Sequence, residues 1–483
     1  MRADLDALRP PPKNMPNSIN AVAERSYRLP PILDLVWVIG LMVYIAAGMP
    51  LAPFHADESM QIYTSQDFWT VFIDEDLEDV ITNPPYNLDS DAQLRILNGS
   101  VNRYTIGLAW MLNDQSRRDL PQSPGWNWGV SYEDNIDKGY RLDPDLLNLS
   151  RLPSTIFLML CVPLMGWLGR GAGGRIGFFV ATALFVFSPP ILLNGRRAMQ
   201  EGSMLFFGLL TIGTAALIAQ TRTRRQQTGC LFWLFFVVAS ALTVASKHTG
   251  IVFVAGGFGW ILIGDIVRLT ARGIPALINL VVGLFVALVV TAALTFALLP
   301  ALWNENPLQR IEELIAVRAD LLEIQTQAFP ETVIPTVEER FNTMLEQPFT
   351  APLMYYEAPS WSEYTIIQDE IAAYEASPLS GISWDQAGVL PTVLALLGIG
   401  LALVALMNPR TERRVFSAGI LVWLGVTVAA LAFNPLEWQR YYLPLLPITF
   451  LLVTLAIGAL LTPRRVPVVI EPAASTDVIQ SFR

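Results

Sequence analysis

The sequence predicts an all-α, polytopic membrane protein with about ten transmembrane helices and two external loop domains, on three observations. Hydrophobic residues make up 53% of its 483 positions and charged ones only 15%, where an ordinary soluble domain carries about 25%. Apolar runs of about 17 to 25 residues recur between short polar breaks, each long enough to cross a bilayer core as helix. The acidic residues behind the net charge of −10 gather in two polar segments, about 54–147 and about 301–387, which read as water-facing loops.

Residues 1–31 are rich in Pro and Arg and lack the apolar centre of a cleaved signal, so they form a tail ahead of an uncleaved first span. The predicted spans are about 32–53, 148–168, 174–193, 202–220, 229–246, 249–267, 275–300, 388–407, 415–433 and 441–461. Residues 32–300 then make a membrane core that includes the first loop, 54–147. Residues 301–387 make the second loop domain, 388–461 the last helices, and 462–483 a second tail. Val101–Leu112 is apolar but only about 12 residues long, which suits an interfacial helix better than a span.

Parity supports that choice. With Val101–Leu112 left on the surface, the clusters Arg25 and Arg28, Arg170 and Arg175, Arg222, Arg224 and Arg225, Arg268 and Arg272, Arg410, Arg413 and Arg414, and Arg464 and Arg465 all fall on one side. The positive-inside rule makes that side cytoplasmic. Both termini are then cytoplasmic and both loops external, in what is expected to be a bacterial or archaeal plasma membrane. Cys161 and Cys230 lie in apolar runs, where a thiol behaves as a small hydrophobe, and imply no disulfide framework. The glycine-rich Gly169–Arg175 stretch lacks the spacing of a phosphate loop and reads as a tight turn between helices.

Charge at the external ends of the spans is harder to explain by topology alone. FHADESMQIY (Phe54–Tyr63) sets His55, Asp57 and Glu58 where the first apolar run stops. Arg151 opens the second span, Arg196, Arg197 and Glu201 lie between the third and fourth, Lys247 and His248 occupy the SKHTG break, and Glu437 and Arg440 precede the tenth. Singly these have plain readings: Arg151 and Arg440 snorkel to lipid phosphate, Arg196 and Arg197 clasp Glu201, and Lys247 anchors an interfacial turn. Together, on one face and opposite an acidic pair, they describe a cationic pocket. His55 and His248 are too few for a zinc site, and Asp57 with Glu58 supplies too few oxygens for a hard cation. No metal or other cofactor is therefore required, although a divalent cation stays open.

A carboxylate at such a border can take the proton of an acceptor hydroxyl, while cations beside it bind a phosphate and stabilise the charge that leaves with it. That combination suits group transfer from a lipid-linked phosphate. No GxSxG or HExxH pattern supports a hydrolase, and nothing points to nucleic acid.

FHADESMQIY, SRLPSTIF, RRAMQEGSMLFF, SKHTG and WQRYYLPLLP, in that order from about Phe54 to Pro447, resemble the GT-C superfamily. Within it they are closest to the phospholipid-carrier-dependent glycosyltransferases, the protein O-mannosyltransferase and aminoarabinose transferase branch. The resemblance implies a GT-C-like fold, a polyprenyl-phosphate sugar donor, a protein, lipid or glycan acceptor, and inverting transfer on the external face. It implies Asp57 as general base, with Glu58 helping to orient substrate. Arg196, Arg197, Lys247 and Arg440 would be the donor-phosphate contacts, with His55, Arg151, Glu201 and His248 as further substrate-binding candidates.

One feature departs from the family's pattern. Its Pro-Pro element usually stands directly before an interfacial helix, whereas NPPYN (Asn83–Asn87) here lies further upstream and LNGSVNRYTIGLAW takes that place. The aromatics of GWNWG and the YEDNID stretch that follows stack on sugar or pack a local core, packing being the simpler reading. The alternatives from other classes are a multi-pass transporter, which would set ionisable groups at the midplane of two matching halves, and a non-catalytic membrane binding protein. No internal repeat supports the former.

Overall fold

Long apolar runs leave a backbone no partner but itself, so they close their hydrogen bonds within helices. In the computed structural model this holds throughout the described residues, which are 31–461 except 89, 124, 128–129, 224–228, 268–273, 305, 359–360, 362–363 and 409–412. The expected tails at 1–30 and 462–483 lie outside them, as do Arg25, Arg28, Arg224, Arg225, Arg268, Arg272, Arg410, Arg464 and Arg465 and the side chain of Arg222. The chain divides into two units, 1–40 and 41–483. Of the first, the described part is the start of helix α1 (Pro31–Ala47), whose only charge is Asp34 in the opening turn.

In the second unit a 3₁₀ turn at Met49–Leu51 leads to α2 (Ala56–Thr64) and α3 (Asp67–Phe72). Then come α4 (Asp91–Leu97), α5 (Ser100–Leu112) and α6 (Tyr132–Asp137). The 43-residue α7 (Pro144–Val186) is two arms folded back at Gly173 and Gly174, the latter at φ +67 and ψ −146, a conformation that suits glycine alone. Gly169 meets the Gly177 carbonyl and Ala181 so closely that a Cβ would overlap them, which is how the arms pack side by side. The Gly169–Arg175 stretch is thus the turn its sequence suggested.

The third predicted span stops short of residue 193. Its helix ends at Val186, and a separate α8 (Pro189–Arg196) begins at two prolines that have no N–H to continue the ladder. This break brings Arg196 and Arg197 to the loop-bearing end. After it come α9 (Glu201–Thr223), α10 (Cys230–Ser246), α11 (Ile251–Ile266) and α12 (Ile274–Leu298). The second loop carries α13 (Pro307–Ala328), α14 (Val337–Glu346) and α15 (Thr365–Glu375), and the chain closes with α16 (Val389–Met407), α17 (Arg414–Leu431) and α18 (Leu446–Leu461).

Eight helical stretches among the described residues are long and apolar enough to cross a membrane. Counting both arms of α7 and the shorter α10 recovers the ten expected spans. α9 and α18 are mostly buried, whereas α12 and α16 expose apolar side chains along most of their length, as helices facing lipid must. α5 does not span. It buries Val101, Ile106 and Trp110, and the Trp110 indole donates to Ser150 Oγ at 2.8 Å on α7.

The two loops share one core. Trp126 and Tyr132 of the first pack with Trp361, Ile367 and Tyr374 of the second, the Trp126 and Trp361 rings 4.8 Å apart. These aromatics therefore pack, while Trp128 lies outside the described residues. NPPYN also serves the contact between loops, since Asn83 Oδ1 accepts from Arg310 Nη2 at 3.1 Å and the Tyr86 hydroxyl donates to Glu313 at 2.8 Å.

Candidate active site

The first turn of a helix has amide hydrogens without internal partners, and α2 satisfies them with its own neighbours. His55 is its N-cap: Nδ1 accepts the Asp57 amide at 3.1 Å, and Glu58 Oε2 accepts the His55 amide at 2.9 Å, a reciprocal capping box. Because Nδ1 accepts, the ring proton sits on Nε2, which donates to Glu357 Oε2 at 2.7 Å. The cap thus fixes the tautomer and ties α2 to the second loop.

Glu58 is fully buried and has four donors. Arg151 grips it with Nε at 2.7 Å and Nη2 at 2.8 Å, the Ala198 amide donates to Oε1 at 2.8 Å, and the His55 amide completes the set. Burial alone would raise its pKa, but Arg151 and these hydrogen bonds more than offset that and hold it below the usual range. Arg151 also donates to the Ala52 carbonyl at 2.8 Å. This pair, expected as substrate contacts, locks α2 to α7 and to the α8–α9 connection instead, with no oxygen left for a ligand.

Asp57 projects the other way. About 20% of its side chain is exposed, Oδ2 pairs with Arg440 Nη1, and Oδ1 has no protein partner among the described residues. Arg440 lies in the 3₁₀ segment Gln439–Leu445 before α18. Its Nε stands 2.8 Å from Glu357 Oε1, and its guanidinium lies 5.7 Å from the ring centres of both Trp438 and Tyr441. Burial pushes both carboxyls up, yet Arg440 outweighs it, helped at Glu357 by the hydrogen bond from His55, and holds Asp57 and Glu357 below the ordinary carboxylate range.

A group of cations surrounds Tyr441. Lys247 Nζ bonds Glu201 Oε1 at 2.6 Å and lies 5.6 Å from the Tyr441 ring, and burial lowers its pKa against the pull of Glu201. Arg318 on α13 interacts electrostatically with Tyr441 and Arg440 and donates to the Leu97 carbonyl at 3.2 Å, with no carboxylate partner among the described residues. The half-buried His248, whose Nδ1 has no hydrogen-bond partner among the described residues, feels the charges of Arg318 and Arg103.

Arg196 differs from the phosphate contact expected of it. Its guanidinium, fully buried, donates to the carbonyls of Ile45, Tyr44 and Leu379 and to the Tyr374 hydroxyl at 2.6 to 3.2 Å. A Cβ on Gly48 would overlap that guanidinium, so the fit is tight. Arg197 donates to the Pro53 and Tyr355 carbonyls at 3.1 and 3.0 Å and stacks over Tyr356. Neither clasps Glu201, which belongs to Lys247. Sequence reasoning missed Glu357 and Arg318, whose signals, YYEAP and IAVRADL within the second loop, have no spacing tied to a span end. Among the described residues no group of three or more His, Cys, Asp and Glu side chains is arranged to hold a metal.

Comparison with known proteins adds an independent observation. Residues 129–306 match the family of dolichyl-phosphate-mannose-protein mannosyltransferases. That segment contains Arg151, Arg196, Arg197, Glu201, Lys247 and His248 but not His55, Asp57, Glu58, Glu357 or Arg440. Among solved structures, the Archaeoglobus fulgidus oligosaccharyltransferase complex with zinc and sulfate is similar over 88% of this chain and 49% of its own, at 12% identity and a TM-score of 0.47. The chain thus spans about half the length of that protein. ArnT from Cupriavidus metallidurans bound to undecaprenyl phosphate is similar over 88% of this chain and 77% of its own, at 14% identity and a TM-score of 0.39. No curated protein matches by sequence. The family match and the motifs agree in place: residues 129–306, which carry SRLPSTIF, RRAMQEGSMLFF and SKHTG, are similar to the dolichyl-phosphate-mannose-protein mannosyltransferases.

Proposed function

We propose that this chain transfers a sugar from a polyprenyl-phosphate-linked donor to a hydroxyl of a protein, lipid or glycan acceptor, on the external face and with inversion. The observation that carries the reading is Asp57, with Oδ1 free of protein partners among the described residues and Oδ2 against Arg440, an arginine that Lys247 and Arg318 in turn feel electrostatically. Asp57 takes the acceptor proton as the acceptor oxygen attacks the anomeric carbon from the side opposite the phosphate. The bond from that carbon to the phosphate oxygen breaks, and the polyprenyl phosphate leaves with the electron pair. A single displacement inverts the centre.

Arg440, Lys247 and Arg318 receive the phosphate charge, which removes the need for a divalent cation. Glu357 and His55 act as positioning residues that hold Arg440 and the α2 cap. A mostly apolar cavity of about 180 Å³, lined by Leu424, Val428, Leu445 and Leu452, suits part of a prenyl chain. Leu424, Val428 and Leu445 also pack in one cluster with Tyr441, at the cationic group. In this reading both tails are cytoplasmic.

The test is transfer in membranes with a radiolabelled panel of polyprenyl-phosphate sugars, comparing wild type with Asp57→Asn. Transfer that collapses in the variant while donor binding survives supports the base. Equal transfer by both proteins rejects it, and wild-type binding without transfer across a panel of acceptors favours a transporter or binding protein.

A further inference from the structure

A cavity of about 500 Å³, within the roughly 300–1,000 Å³ typical of ligand sites, opens between the start of α8, the chain following α14, and the 375–385 connection ahead of α16. Neither Asp57 nor the cations around Tyr441 line it. Its chemistry is one-sided. Glu375 and Asp385 face it, and no Arg, Lys or His is among its lining residues.

Each carboxylate is only partly used. Glu375 Oε1 accepts from the Tyr355 hydroxyl at 3.2 Å and Asp385 Oδ1 from Ser383 Oγ at 2.9 Å, while their second oxygens have no protein partner among the described residues. Gln347 also lines the cavity. It is 6% exposed, its amide nitrogen donates to the Glu437 carbonyl at 3.1 Å, and its Oε1 has no partner among the described residues. The wall therefore offers acceptors and lacks cations, so an occupant must bring several hydrogen-bond donors and no negative charge. Trp384, edge-on to Phe349 at 6.1 Å, adds a half-buried aromatic surface of the kind that packs against the C–H face of a sugar ring.

We infer that this cavity is a second binding site, for a saccharide without acidic groups. Tyr355 links it to the candidate active site: its hydroxyl bonds Glu375, its carbonyl accepts Arg197 Nη2 at 3.0 Å, and the chain reaches Glu357 two residues later. An occupant bears on the segment that places Glu357. The inference does not rest on the transfer reaction.

The experiment is ligand-observed saturation-transfer NMR on the full chain in a detergent without a sugar headgroup. The probes are methyl α-mannoside, methyl β-glucoside, glucosamine, glucuronate and ethanolamine. At least one neutral glycoside or glucosamine is expected to saturate, with glucuronate about tenfold weaker. Glu375→Gln and Asp385→Asn should each weaken binding by about tenfold, equivalent to 1.4 kcal/mol, without moving the melting temperature. Trp384→Phe provides a milder check on the ring, and Asp57→Asn should bind as wild type, which separates this site from the transfer reading. No saturation by any sugar, binding indifferent to all three cavity variants, or saturation by ethanolamine alone would overturn the inference.

Discussion

Arg440 holds Asp57 and Glu357 at once, pairing with Asp57 Oδ2 through Nη1 and standing 2.8 Å from Glu357 Oε1 through Nε. One cation thus joins three stretches remote in sequence: the start of α2, the second loop and the segment before α18. It also keeps the proposed base weak, since it holds the Asp57 carboxyl below its ordinary range against the upward push of burial. A donor phosphate competing for Arg440 would release Asp57 to act.

That competition predicts two different acid limbs. The profile of kcat/KM reports the free protein, where Asp57 stays ionised to below its ordinary pKa of about 3.9. The profile of kcat reports the complex, where Arg440 is shared with phosphate, so its acid limb should lie at higher pH. Coincident limbs would refute the sharing.

Glu357 predicts a stability effect of defined sign. Its folded pKa is depressed, so its pairing stabilises the fold above the unfolded value of about 4.3 and is lost as pH falls through the lower folded value. Glu357→Gln should lower stability at pH 7 by roughly 1–3 kcal/mol and show a shallower loss of melting temperature from about pH 5 to 3. An unchanged slope would mean that the pair contributes nothing.

The two acids of FHADESMQIY should separate by phenotype. Asp57→Asn is expected to cost about 10²–10⁴ in transfer while melting close to wild type. Glu58→Gln weakens a fully buried ion pair with Arg151, for which losses of roughly 3–5 kcal/mol are usual, and should appear as poor yield and early melting. A Glu58→Gln protein that melts normally but transfers nothing would move Glu58 from scaffold to chemistry.

Hydropathy made the helices legible because an apolar run in a bilayer has only one way to satisfy its backbone. The end of the third span was less legible: Pro189 and Pro190 were visible, but apolar Ile191–Leu193 hid the break they cause. At the site, Asp57, Lys247 and Arg440 were readable as charges at span ends. What the charges at the span ends do was not, because it depends on partners remote in sequence, 46 residues away for Lys247 and Glu201 and more than 90 for Arg440 and Asp57, Arg151 and Glu58, or Arg196 and Leu379. Glu357 and Arg318 were hidden for another reason: in a polar loop a charged residue is ordinary, and only the fold brings these two to Arg440.

Arg196 and Arg318 provide the sharpest contrast between scaffold and ligand site. Arg196 is fully buried and serves the carbonyls of Tyr44, Ile45 and Leu379. Arg196→Met leaves those acceptors unsatisfied, at roughly 1–3 kcal/mol apiece, and should fail to fold stably. Among the described residues Arg318 gives up only its bond to the Leu97 carbonyl, about 1 kcal/mol, yet a charged contact to phosphate is worth roughly 1.5–3 kcal/mol. Arg318→Ala should therefore melt near wild type while raising the donor KM by about 10- to 100-fold. An unchanged donor KM would remove Arg318 from the phosphate site and leave Arg440 and Lys247 to carry it.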